Sequence, residues 1–201
     1  MKKLIFSLLL VSTPLMSNTG YIDNNIDFKV RRQTLLKKEQ TSQIYESGVL
    51  FIKHQEKLKL KPYRGVGGEW TIGYGHVIKK NESHLMKGIT KNKALELLNG
   101  DFNKYVKITK QHFPNLKEDT KIVVVTLISY NLGDKFIYQG LGKSIRNNKD
   151  IKNNLLQYNK VNGKEISHLT KRRLFEYKLW TSSPYEFINQ LNYGRINKEN
   201  I

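Results

Sequence analysis

The sequence predicts an α+β domain, mostly α-helical, with a small antiparallel β-hairpin lobe and a cleft between the two lobes. Two observations carry that reading. Between Tyr63 and Val77, glycines at 65, 67, 68, 73 and 75 punctuate an alternation of Trp70, Ile72 and Tyr74 with Thr71, Gly73 and Gly75. Period two between glycine turns is the pattern of a short hairpin sheet. Almost everything after Val77 instead keeps helical spacing, with cap signals at the helix starts.

The chain has 201 residues, enough for one domain with appendages, and its 11 Tyr and 8 Phe can furnish a core. It has no Cys, so disulfides and thiolate metal sites are excluded. Residues 1–17 read as an export signal. Lys2 and Lys3 form a positive start, Leu4 to Val11 an apolar run, and Thr13-Pro14 with Ser17 a cleavage region. The apolar run is shorter than the roughly 20 residues that span a bilayer core of about 30 Å. Export to the periplasm or beyond is therefore expected, with no stable membrane span after cleavage; retention as an inner-membrane signal anchor is the alternative. Loss of Lys2 and Lys3 lowers the formal charge from +18 to +16. Such a charge suits an anionic partner. For an exported chain the anionic cell-wall surface fits better than nucleic acid, for which no specific binding is expected. The lysines are spread along the chain, so the charge also reads simply as a solubilising surface.

Residues 18–41 are polar and read as a linker or peripheral helix, and the compact domain is expected over 42–193. Tyr45, Val49, Ile52 and Glu56 mark one face of a helix, closed by Pro62. Thr90 is an N-cap, with Ile89 and Ala94 spaced as a hydrophobic staple. Ile122 to Asn131 is rich in β-branched residues, yet its length and the following Gly133 favour a buried helix. Short helices follow within Ser144–Tyr158 and over Leu169–Trp180. Ser183-Pro184-Tyr185-Glu186 is a capping box that opens a last helix to about Leu191; residues 194–201 are a polar tail.

Glu56 stands on the apolar side of its helix near the C-terminal end. Burial and the helix dipole both disfavour its charged form. A carboxyl that keeps its proton near neutral pH can protonate the oxygen of a breaking sugar bond. The hairpin then supplies a hydroxyl, Thr71. Glu69 lies two residues before Thr71, so on a strand both side chains share a face. The plainer reading of Glu69 is a solvated hairpin residue. The histidines at 54, 84, 112 and 168 show no metal-ligand spacing, and neither metal nor other cofactor is implied.

Glu56, Tyr63 and Trp70-Thr71-Ile72-Gly73-Tyr74-Gly75-His76 resemble the phage-type lysozymes, the endolysin muramidases of glycoside hydrolase family 24. Ile89-Thr90-Lys91 with Ala94, Leu98 and Asp101 is similar to the family's next helix. Ser129-Tyr130-Asn131-Leu132-Gly133 resembles a later motif, and Leu169-Thr170-Lys171-Arg172-Arg173 with Glu176 its C-terminal Arg-Arg helix. The likeness covers roughly residues 43–182 and implies a lysozyme-like fold. It also implies cleavage of the β-1,4 bond between N-acetylmuramic acid and N-acetylglucosamine in peptidoglycan glycan strands, by a monomer. Glu56 would be the acid and Thr71 would hold the attacking water. Gly65 occupies the place of the family's catalytic Asp, leaving Glu69 as a candidate partner. The alternative is a weakened or inactive peptidoglycan-binding protein. The resemblance further implies a structural ion pair between His76 and Asp101, and sugar contacts at Tyr130, Asn131 and Ser144. Arg172 and Arg173 are expected on the helix surface or in packing.

Overall fold

The computed structural model describes residues 21–65 and 67–193. The expected leader at 1–17 and the tail at 194–201 lie outside them. The chain divides into two units, Met1–Lys38 and Glu39–Ile201. Helix α1, Tyr21–Gln55, crosses that boundary. The 18–41 stretch is therefore helical from Tyr21 onward rather than a linker. In the first unit an ion pair joins Arg31 to Asp27 at 2.8 Å, and Ile26, Phe28, Val30, Leu35 and Leu36 are exposed. Among the described residues no helix is long and apolar enough to cross a membrane.

The second unit is built around α3, Asp119–Leu132, with every residue from Thr120 to Ser129 buried except Lys121. A helix apolar on all sides belongs at the centre of a core, and that context overrides the strand propensity of its valines and isoleucines. Its buried hydroxyls are satisfied within the helix: Thr126 donates to the Ile122 carbonyl and Ser129 to that of Val125, both at 2.8 Å. α2, Lys91–His112, packs on α3; its N-cap is Thr90, whose hydroxyl accepts the Lys93 amide at 3.1 Å. Gly48 of α1 lets the first helix close on both. A methyl there would stand 2.6 Å from Val123 Cγ1 and 3.0 Å from Phe102 Cζ. Thr41 and Tyr45 donate to the two oxygens of Asp119 at 2.8 and 3.2 Å.

The sheet lobe is three antiparallel strands in the order β1 (Lys59–Arg64), β2 (Trp70–Gly73) and β3 (His76–Val77). Pro62 does not close the first helix, which has already ended at Gln55. It sits in edge strand β1, beside the register irregularity between Lys59 and Tyr63, where a missing N–H is tolerated. A 3-10 segment, Lys80–Lys87, links the sheet to α2.

The helical body is completed by α4 (Gly140–Arg146), α5 (Lys152–Leu156), α6 (Ser167–Trp180) and α7 (Pro184–Tyr193). The expected capping box at α7 forms: the Ser183 amide donates to Glu186 Oε2 at 2.9 Å. Between α5 and α6 lies a small hairpin absent from the sequence expectation, β4 (Lys160–Val161) with β5 (Lys164–Glu165). Its turn is Asn162-Gly163, both at positive φ, which is the usual two-residue hairpin signal.

Candidate active site

Glu56 follows α1 directly, its amide still bonded to the Ile52 carbonyl at 2.9 Å. The side chain is 32% exposed. Burial pushes its carboxyl above the usual glutamate range, and the Arg172 guanidinium, with Nη1 3.9 Å from Oε1, pulls the other way. The net rise favours the protonated acid, which is the form a proton donor needs.

Strand pairing sets the opposite side. Tyr63 of β1 lies directly across from Thr71 of β2, so their side chains share one face of the sheet. Burial raises the Tyr63 phenol, and the charges of Glu56 and then Glu69 add to that rise. Tyr63 therefore stands within electrostatic reach of both carboxyls. Thr71 is buried, 4% exposed. Its Oγ1 lies 2.9 Å from the point where a side chain on Gly65 would begin, and the Glu69 carboxylate occupies that same point. Glu56, Tyr63, Glu69 and Thr71 thus form one neighbourhood at the junction of helix and sheet.

Tyr130, on α3, joins them. Its hydroxyl donates to the Tyr74 carbonyl at 2.8 Å, tying the central helix to the hairpin. Burial, chiefly, lifts its phenol far above the ordinary range, so it remains a donor. The other two expected sugar contacts face inward. Asn131 accepts through Oδ1 from Arg173, and Ser144 accepts from Asn154 Nδ2 at 2.9 Å. Both sit where an unpaired polar atom would be costly, and each has found a protein partner. His76 is buried between two carboxylates, with Nδ1 2.7 Å from Asp101 and Nε2 3.1 Å from Glu82. These contacts, the Asp101 hydrogen bond first, raise its pKa. Glu82 had no place in the sequence reading, although its spacing from Lys79, whose amide donates to it at 3.0 Å, is a helix-start signal.

The Arg-Arg pair is packed, and only its expected place on the surface is corrected. Neither side chain lies on the helix surface: Arg172 is 12% exposed and Arg173 fully buried. Glu176, itself fully buried, stands 3.2 Å from Arg172 Nε and 2.9 Å from Arg173 Nη1. Burial raises the Glu176 carboxyl and lowers the Arg173 guanidinium, and each partner's charge opposes the other's shift. A buried charge survives only when paired, which accounts for their clustering. Among the described residues no group of three or more His, Asp or Glu side chains is arranged to hold a metal.

A carboxyl whose burial favours its proton, near a hydroxyl-bearing hairpin, is suited to breaking a sugar bridge. The small sheet and helical body that carry it are those of the lysozyme-like glycoside hydrolases. The Phage lysozyme family model matches residues 53–176, and the chain belongs to that family. It is 27% identical over 150 residues to "Probable T4-type lysozyme 2" of Dictyostelium discoideum, spanning 69% of this chain and 79% of that protein. It is 29% identical over 144 residues to an endolysin of Bacillus phage B103, spanning 68% of this chain and 53% of that one. The muramidase domain of SpmX from Asticaccaulis excentricus shares the fold, with a TM-score of 0.57 at 21% identity over 68% of this chain and 95% of the domain. At the level of the family, the protein is a muramidase-like peptidoglycan hydrolase.

Proposed function

We propose that the protein is an exported, monomeric muramidase that cleaves the β-1,4 bond between N-acetylmuramic acid and N-acetylglucosamine in peptidoglycan. Glu56 acts as the general acid. The supporting observation is its position: a carboxyl at a helix end, two-thirds covered, with burial favouring its proton. As the glycosidic bond breaks, that proton passes to the departing oxygen, while a water held at Thr71 attacks the anomeric carbon from the hairpin side. Tyr63 and Tyr130 offer aromatic surface for the sugar beside Glu56, while Asn131 and Ser144, bonded to Arg173 and Asn154, stay out of the sugar contacts. Export rests on the leader pattern at 1–17 and on the location of the substrate outside the inner membrane. The positive charge, +18 for the whole chain and +16 once Lys2 and Lys3 leave with the leader, concentrates the protein on the anionic wall.

Digestion of purified peptidoglycan, with products read by mass spectrometry, tests this. The wild type is expected to release muropeptides ending in reducing N-acetylmuramic acid. Glu56→Gln keeps the shape but has no proton to give, and its rate is expected to fall by about 10²–10⁴-fold. A Glu56→Gln variant that digests as fast as wild type overturns the reading. A wild type that binds glycan without cutting it identifies a binding protein instead.

A further inference from the structure

We infer that Glu69 is the carboxylate that activates the attacking water, delivered from the hairpin strand into the space that Gly65 leaves open. The assignment rests on the muramidase reading above and identifies the second acid of that same site.

The turn of the β1–β2 hairpin is closed by two backbone bonds, from the Gly65 amide to the Glu69 carbonyl at 2.8 Å and from the Gly68 amide to the Gly65 carbonyl at 3.0 Å. Arg64 reinforces it, donating from Nη1 to the Gly68 carbonyl at 2.6 Å while its guanidinium lies 4.1 Å from the centre of the Trp70 ring. This holds Glu69 at a fixed place just before β2, with its side chain folded back over the turn.

The carboxylate lies where side chains on two glycines would go. A Cβ on Gly65 would collide with Glu69 Oε1, and one on Gly67 would stand 2.6 Å from Oε2. Gly65 is outside the left-handed region, so its backbone would accept any residue. The constraint at 65 is room. Any side chain there displaces the Glu69 carboxylate. The same point lies 2.9 Å from Thr71 Oγ1, which places hydroxyl and carboxylate side by side. The sequence thus trades a carboxylate on residue 65 for one on residue 69 that reaches the same volume from the other arm of the hairpin.

The chemistry balances without a cofactor. Glu69 takes one proton from the water that Thr71 holds. The water oxygen bonds to the anomeric carbon as the glycosidic bond breaks, and the departing oxygen takes the proton of Glu56.

The test uses the full-length protein on purified peptidoglycan and compares Glu69→Gln, Glu69→Ala, Gly65→Asp with Glu69→Ala, and Glu56→Gln. Glu69→Gln is expected to lose about 10²–10⁴-fold in kcat. With the carboxylate gone, azide fits the vacated space in Glu69→Ala and attacks in place of water. Added azide should raise its rate and yield a glycosyl azide, detected by mass. Returning the carboxylate from residue 65 in the double variant should recover at least about tenfold over Glu69→Ala. A structural role for Glu69 would give neither the azide product nor that recovery. Glu69→Gln within about threefold of wild type overturns the assignment, as does a loss in Glu69→Gln with no azide product and no recovery from residue 65. In both cases a Glu56→Gln variant that has lost its activity leaves the muramidase reading standing, so the two failures are distinguishable. A wild type that cuts nothing overturns both.

Discussion

Arg172 Nη1 lies 3.9 Å from Glu56 Oε1, and through Nε the same guanidinium donates to Glu176 at 3.2 Å. A single arginine therefore serves the acid at the end of α1 and a fully buried carboxylate on α6. For Glu56 its charge works against burial, which is the larger influence. Arg172→Gln removes the opposing charge, so the Glu56 pKa should rise further. With Glu56 as the proposed acid, the basic limb of the kcat/KM profile reports loss of its proton and should move to higher pH. A limb that moves to lower pH contradicts the arrangement. Glu176 keeps Arg173, so urea unfolding should show a loss of about 1–3 kcal/mol rather than collapse.

The imidazole of His76 sets a second pH dependence, this time in stability. Its folded pKa is raised above the ordinary 6.5 by Asp101 and Glu82. The folded chain holds that proton more tightly than the unfolded one. The stabilisation is therefore complete below about pH 6.5 and fades as pH rises through the folded value. Glu82 has the opposite sign. Its carboxyl is held below the ordinary 4.5, first by the Lys79 amide, so its contribution is present above that value and lost in acid. His76→Gln should lower the melting temperature by several degrees near pH 6, from a loss of about 1–3 kcal/mol, and much less at pH 9. An equal loss at both pH values would mean that packing, not charge, is what His76 supplies.

The hairpin was readable because glycine turns and alternation are local signals, and the buried α3 because length and a terminal glycine are too. Arg172 was not readable in the same way. Its partner Glu56 lies at the far end of the domain sequence, and helical spacing around 169–180 does not say that two adjacent arginines both turn inward. Pro62 was misread as a helix stop because an edge strand tolerates proline as readily as a loop does. The β4–β5 hairpin was missed although Asn162-Gly163 announces it; its strands are only two residues long, too short for periodicity to register. The place of Glu69 over Gly65 comes from the geometry of the turn that joins them. Sequence spacing put it on the face of Thr71 but did not show that the glycine was making room.

The Tyr130 hydroxyl bonds α3 to the Tyr74 carbonyl of the hairpin, and its ring lies near the proposed sugar path. The two roles separate by substitution. Tyr130→Phe keeps the ring but strands the Tyr74 carbonyl, and should cost about 1–2 kcal/mol in urea with KM nearly unchanged. Tyr130→Ala also removes the aromatic surface and should raise KM several-fold for glycan fragments. If Tyr130→Phe alone raises KM as far as Tyr130→Ala, the hydroxyl rather than the ring meets the sugar.

Gly48 sets two ordinary effects against each other in the middle of α1. Alanine is the better helix former by about 1 kcal/mol, which alone would make Gly48→Ala stabilising. Its methyl, however, would stand 2.6 Å from Val123 Cγ1 and 3.0 and 3.2 Å from the Phe102 ring. Val123 and Phe102 are both buried and almost wholly inaccessible, so neither has free space to move into. Overpacking a filled core costs about 1–3 kcal/mol, more than the helix gains. Gly48→Ala should therefore be destabilising by about 1–2 kcal/mol in urea. Adding Val123→Ala, which vacates the colliding methyl, should make the glycine-to-alanine change itself less harmful or even favourable. A Gly48→Ala variant more stable than wild type would show that α1 does not lie this close to α3.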